Sequence, residues 1–208
     1  AEPLRAWIAM RPNNAINVLD THDGIGVIDV GVDQRNRSRP GLLPPERIHE
    51  LVEGIHERSN GESRQATGAA ASNLDLYQVN CTFYDALGRD DDRYLAARLI
   101  QLMLPGIPQI YYVGLIAGSY DMELLAASGV GRDVNRHRYT AAEVEAALTR
   151  PVVRRLLEML RWRSTDPAFD GDFELVDSPT GTLRMRWTNG AAAADRTIDL
   201  RTAEITAH

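Results

Sequence analysis

The chain has 208 residues, 44% of them hydrophobic, and 23 basic against 29 acidic side chains give it a formal charge of −6. An acidic balance argues against a nucleic-acid backbone as partner, and no run of about 18 apolar residues is present to span a membrane. All 23 basic residues are arginine, which excludes Schiff-base and P-loop lysine chemistry.

The first residues, A-E-P-L-R-A-W, lack the basic and apolar regions of a signal peptide. Ala15 to Leu19 reads as a short buried strand, and it switches abruptly to Asp20, Thr21, His22, Asp23 and Gly24. A strand ending in carboxylates and a histidine is how an α/β barrel presents its active site. Asp20, His22 and Asp23 cannot all be buried without partners, so the strand end should open onto a polar pocket. An ordinary loop, with the Asp side chains bonding nearby backbone, is the competing reading. A metal site on these three residues is the weaker alternative, because no other His or Cys lies nearby at ligand spacing.

Ile25 to Gly31 reads as an extended apolar continuation, and Asp33 to Pro45 as a loop. Glu46 to Arg58 carries Ile48, Leu51, Val52 and Ile55 at helical spacing, and Asn60-Gly61 ends that helix. Gly61 to Tyr77 is small and polar with little core pattern, the composition of a functional or a disordered loop. The single cysteine, Cys81, allows no intrachain disulfide and fits a reducing cytoplasm. Asp91 to Leu104 is a helix with acidic residues at its positive end, stopped by Pro105-Gly106. Ile107 to Val113 reads as a second strand, with Tyr111 and Tyr112 as its packing residues. Gly118 to Tyr139 looks irregular. Thr140 with Glu143 makes a capping box for a helix to Leu148, and Pro151 opens the helix Val152 to Arg163. From Phe173 the apolar period becomes two, predicting an antiparallel sheet beyond a boundary near Asp170-Gly171, with a hairpin across Asn189-Gly190.

Four motifs together carry a resemblance: V-L-D-T-H-D-G-I-G-V-I-D at 18–29, G-A-A-A-S-N-L-D-L-Y-Q-V-N at 68–80, L-P-G-I-P-Q-I-Y-Y-V-G at 104–114 and G-R-D-V-N-R-H at 131–137. In order and spacing the chain resembles the sucrose phosphorylases, a subgroup of the α-amylase family of retaining glycoside-active enzymes. The resemblance implies the C-terminal part of a (β/α)8 TIM barrel followed by a small all-β domain. Residues 1–26 would hold the strand-seven region and 27–73 an insertion. Residues 74–170 would complete the barrel with an acceptor-side loop and strand eight, and 171–208 would form the β domain. The first six strands, the Asp nucleophile and the Glu acid/base would lie outside these 208 residues. With barrel edges unpaired, the chain alone should fold poorly.

The implied reaction moves glucose from sucrose to phosphate by a retaining double displacement. Asp23 matches the carboxylate that stabilises the transition state. His22 and Arg132 match residues of the glucosyl pocket, and Asp75, Tyr77 and Gln78 match the acceptor-side loop. Asp20 would be structural. Asp75 would oppose a phosphorylated fructosyl acceptor, favouring plain sucrose. No cofactor or metal is implied. Sucrose and inorganic phosphate are the implied partners, with a homodimer for the full-length enzyme. Phosphorolysis or hydrolysis of another α-glucoside, and a non-catalytic carbohydrate-binding remnant, are the alternatives.

Overall fold

The computed structural model describes residues 2–12, 14–33, 36, 38–67 and 78–208. Helix α1 (Glu2–Met10) precedes the expected strand β1 (Ile16–Val18), but the strand is not buried as read: only Asn17 is, and Ile16 and Val18 are exposed. Strand β2 (Ile25–Gly26) is short and passes into a 3-10 helix, Val27–Val30. The extended reading of 25–31 is therefore corrected. Ile25, Val27 and Val30 all pack on one apolar cluster, and a 3-10 turn places residues i and i+3 on one face where a strand would alternate them. Helix α2 (Pro45–Arg58) starts with its proline in the first turn and buries Ile48, Val52 and Ile55, while Leu51 faces outward. Asn60 and Gly61 both take positive φ, 53° and 79°, and break the chain before α3 (Glu62–Gln65).

Strand β3 (Gln78–Val79), α4 (Phe83–Ala86) and α5 (Asp91–Met103) lead to β4 (Ile107–Gln109). The second strand is thus shorter than the sequence suggests, because Tyr112–Leu115 is helix α6 with Tyr111 as its extended N-cap. The stretch 118–139 is likewise more regular than expected. It holds α7 (Met122–Ser128), capped by the Asp121 side chain, and a 3-10 helix Gly131–Asn135. Helix α8 (Ala141–Thr149) follows, and Thr140 and Glu143 form the expected reciprocal cap at 2.7 and 3.3 Å. Helix α9 (Pro151–Thr165) and a 3-10 helix, Pro167–Asp170, precede β5 (Asp172–Val176), β6 (Thr182–Asn189), β7 (Ala192–Asp199) and β8 (Ile205–Ala207). These last four strands form one antiparallel sheet in sequence order. Asn189 pairs with Ala192, so the hairpin turns on Gly190 and Ala191, one residue later than expected; Gly190 supplies the positive φ of 58°.

The chain divides into two compact units. The first comprises residues 1–19, 91–110 and 148–208. In it β1 and β4 run parallel, with Ile16 opposite Ile107 and Val18 opposite Gln109. Helix α5 clamps this pair. The Gln101 amide donates to the carbonyls of Asn17 (2.9 Å) and Gln109 (2.7 Å), and the buried Arg98 guanidinium donates to the Gln101 oxygen at 2.9 Å. The core of this unit joins Leu99 and Met103 of α5 to Phe169, Leu175, Met185, Trp187 and Ile198. Two parallel strands with a covering helix, and a separate antiparallel sheet, are the layers expected of part of a (β/α) barrel with a small β domain.

Asp195 in β7 is buried between Arg184 (2.8 Å) and Arg186 (2.7 Å). The hydrogen-bonded Arg184 guanidinium is the largest influence. With Arg186 it outweighs burial and holds the carboxyl down to about 2, against an ordinary 3.8. A depressed carboxyl contributes stability above its ordinary value, and that stability disappears as pH falls toward 2. Asp195→Asn is expected to cost about 2 kcal/mol at neutral pH. The difference from wild type should vanish below about pH 2, and urea unfolding at both pH values checks this.

The second unit comprises residues 20–90 and 111–147. Its core joins Val27, Ile48, Val52, Ile55, Val79, Cys81 and Ala86, and β2 pairs antiparallel with β3. Burial pushes the Cys81 thiol far above its usual range, so it is an inert packing residue. Among the described residues no helix is long and apolar enough to cross a membrane.

Candidate active site

The polar run after β1 forms a tight turn. The Thr21 hydroxyl oxygen accepts the Asp23 N–H at 3.1 Å, which fixes the Asp23 backbone. Gly24 follows because nothing larger fits. A Cβ there would lie 2.5 Å from the Val79 carbonyl oxygen and 2.7 Å from the Asn80 amide oxygen. The turn is therefore pressed onto β3, whose Gln78 pairs in register with Gly26.

The Asp23 carboxylate meets two guanidinium groups. Arg132 Nη1 donates to Oδ1 at 3.0 Å, and Arg136 Nη2 lies 3.5 Å from the same oxygen. His22 Nε2 stands 3.5 Å from Oδ2. Among the described residues no arginine donates a hydrogen bond to Oδ2, and about a third of the side chain is open to solvent (35%). Asp20, by contrast, is buried.

The 3-10 helix 131–135 delivers the arginines. Its C-terminal residue, Asn135, donates its side-chain amide to the Thr21 (2.6 Å) and Asp23 (3.3 Å) carbonyls, and Arg136 Nε donates to the His22 carbonyl at 3.1 Å. Two tyrosines hold this segment from the other side. The Tyr111 hydroxyl donates to the Asn135 carbonyl and the Tyr112 hydroxyl to the His137 carbonyl, each at 2.9 Å. These residues are therefore braces for the 131–137 segment rather than packing residues of a strand. Burial keeps the Tyr111 phenol protonated far above its usual range, so the donor role is secure.

Of the residues expected from the sequence, the structure brings Asp23, His22 and Arg132 together and sets Gln78 on the strand beside their turn. Asp75 and Tyr77 lie outside the described residues. The sequence reading does not include Arg136 or Asn135 in the site, and it gives Tyr111 a packing role only. For Asn135 the signal was present in G-R-D-V-N-R-H, since it lies three residues beyond Arg132 and shares its face of a 3-10 helix. Among the described residues no group of three or more His, Cys, Asp or Glu side chains could hold a metal ion, so Asp20, His22 and Asp23 do not assemble as one.

No family profile matches the chain. It is 61% identical over 187 residues to a sucrose phosphorylase of Agrobacterium vitis, covering 90% of this chain and 38% of that protein. It is 45% identical over 206 residues to a glucosylglycerol phosphorylase of Marinobacter adhaerens, covering 98% of this chain and 41% of that protein. The crystal structure of sucrose 6F-phosphate phosphorylase from Thermoanaerobacter thermosaccharolyticum superposes with a TM-score of 0.81 at 36% identity, over 99% of this chain and 40% of that one. The chain thus spans about two fifths of the length of the relatives it matches. Over most of its length the chain is similar to the sucrose phosphorylases and related phosphorylases.

Proposed function

We propose that this chain is part of a sucrose phosphorylase, transferring glucose from sucrose to inorganic phosphate with retention. The arrangement that supports this reading most is the Asp23 carboxylate, steadied on one oxygen by Arg132 and facing His22 with the other. In a double displacement the glucosyl carbon develops positive charge as the carbon–oxygen bond to fructose breaks and again as phosphate attacks. A fixed carboxylate opposes that charge without reorganising at the moment of reaction. Its free oxygen can accept hydrogen bonds from sugar hydroxyls, and His22 can donate to the same sugar. Arg132 borders the glucosyl pocket, and Asp75, Tyr77 and Gln78 serve the acceptor side.

The nucleophile and the acid/base belong to residues outside this chain in this reading. A cytoplasmic setting accords with the single buried cysteine. The homodimer of the full-length enzyme rests on the resemblance alone. Similarity to a glucosylglycerol phosphorylase favours one second reading, the same reaction on another α-glucoside.

The test is phosphate-dependent release of glucose 1-phosphate from sucrose. The chain alone is compared with the same chain joined to its upstream barrel sequence, with glucosylglycerol as a parallel substrate. Activity on sucrose in the longer protein only is the expected result. A folded longer protein that acts on glucosylglycerol and not on sucrose would transfer the assignment to the second reading.

A further inference from the structure

The 131–137 segment ends in a residue that the proposed chemistry does not use. His137 places Nδ1 2.6 Å from Asp121 Oδ2 and Nε2 3.0 Å from Glu143 Oε1. Both ring nitrogens face carboxylates, which only accept hydrogen bonds, so both must carry a proton for both contacts to form. Neither carboxylate is free to move away. Asp121 also caps α7 through the Leu124 N–H at 2.7 Å, and Glu143 is locked into the reciprocal cap of α8 by the Thr140 N–H and hydroxyl, each at 2.7 Å. The Asp121 N–H donates to the Val134 carbonyl at 2.9 Å, so the same junction grips the segment at a second point.

The geometry points to His137 as a positioning residue: a doubly protonated strut between the N-termini of α7 and α8 that fixes the segment presenting Arg132, Asn135 and Arg136 to the Asp23 turn. This rests on the proposed function only for its effect on catalysis. The other groups at the ring are neutral: Tyr139 lies edge-on at 4.4 Å and Tyr112 bonds the His137 carbonyl. Two arginines flank it in sequence: Arg136 is drawn to Asp23 and Asp133, and Arg138 is exposed to solvent.

The electrostatics agree with the strut. The Asp121 hydrogen bond, then Glu143, raise the imidazole above its ordinary 6.5 against the opposing effect of burial. Glu143 is held down to about 2, chiefly by Thr140 and then by His137. Burial works against charge on Asp121, but the Leu124 N–H and His137 outweigh it and keep the carboxyl low. Stability from a raised histidine is complete below its ordinary value and is lost as pH rises through the elevated one.

The experiment uses the chain joined to its upstream barrel, with 15N-labelled histidine. Ring-nitrogen NMR, assigned by the signal missing in His137→Gln, should show both His137 nitrogens protonated, with loss of the second proton displaced upward from the ordinary 6.5. Glutamine cannot donate to two carboxylates, so His137→Gln should lower kcat/KM on the order of tenfold and remove the alkaline decline that follows His137. His137→Arg, a cation with several donors, should restore much of the loss. Titration at or below 6.5, or a folded His137→Gln enzyme with an unchanged pH profile, would overturn the strut. A His137 titration raised above 6.5 in an enzyme that releases no glucose 1-phosphate would instead count against the proposed function, leaving the strut in place.

Discussion

Asp23→Asn in the protein extended by its upstream barrel is expected to lower kcat/KM for sucrose phosphorolysis by about 10²–10³-fold, the usual cost of one preorganised transition-state contact. Asparagine keeps the shape and leaves one carbonyl oxygen for Arg132. The variant should therefore fold, and the loss should report charge rather than packing. One further effect acts in the same direction. Arg132 and Arg136 lose the carboxylate that offsets them, and an unopposed pair of guanidinium groups raises the energy of a cationic transition state. Since the interaction strengthens only as charge develops, kcat should fall with kcat/KM. Parallel thermal melts of the two proteins separate this from unfolding. A folded Asp23→Asn protein within about a factor of two of the parent would remove Asp23 from the chemistry.

Trp187→Ala is expected to cost about 3–5 kcal/mol of stability, the range for deleting a large core aromatic. Trp187 is the junction of the first unit's core. Its indole N–H donates to the Met103 carbonyl at 2.6 Å, tying β6 to the end of α5. Its ring lies 5.8 Å from Phe169 and 5.3 Å from Phe173, with the Arg163 guanidinium 5.6 Å from its centre. Truncation would leave a cavity and strand a carbonyl at the helix end, two costs that add. Urea unfolding of the extended protein measures the change, and a loss under about 1 kcal/mol would show that α5 and the sheet hold together without it.

Apolar periodicity and punctuation made the long elements legible. Ile48, Val52 and Ile55 mark one face of α2, the Thr140–Glu143 pair starts α8, Pro151 opens α9, and the period of two marks the final sheet. Each of these signals is local: a helix face or a cap requires only residues a turn apart. The short elements were not legible in the same way. Val27–Val30 and Tyr112–Leu115 are strongly β-prone by composition, yet both are helical. In the first, packing Val27 and Val30 on one cluster decides; in the second, two tyrosine hydroxyls must reach carbonyls at 135 and 137. Tertiary contacts of that kind outweigh propensities of well under 1 kcal/mol per residue.

The same division runs through the site. The run from Asp20 to Gly24 announces a polar strand end by its chemistry alone, because carboxylates directly after an apolar strand demand partners wherever they are buried. Which partners they find is not written locally. Arg132 and Asp23 are 109 residues apart, and Asn135 reaches the Thr21 carbonyl across 114. Residue type and spacing therefore sufficed for the long elements, for the resemblance and for marking Asp23 as a carboxylate to test. Only the folded chain decided that Asp20 is buried while Asp23 stays partly open, that two arginines share one carboxylate oxygen, and that His137 is held between two helix caps. Those outcomes depend on long-range closure of the chain, whose contacts form only when distant segments are brought together by the cores that sequence periodicity had already marked out.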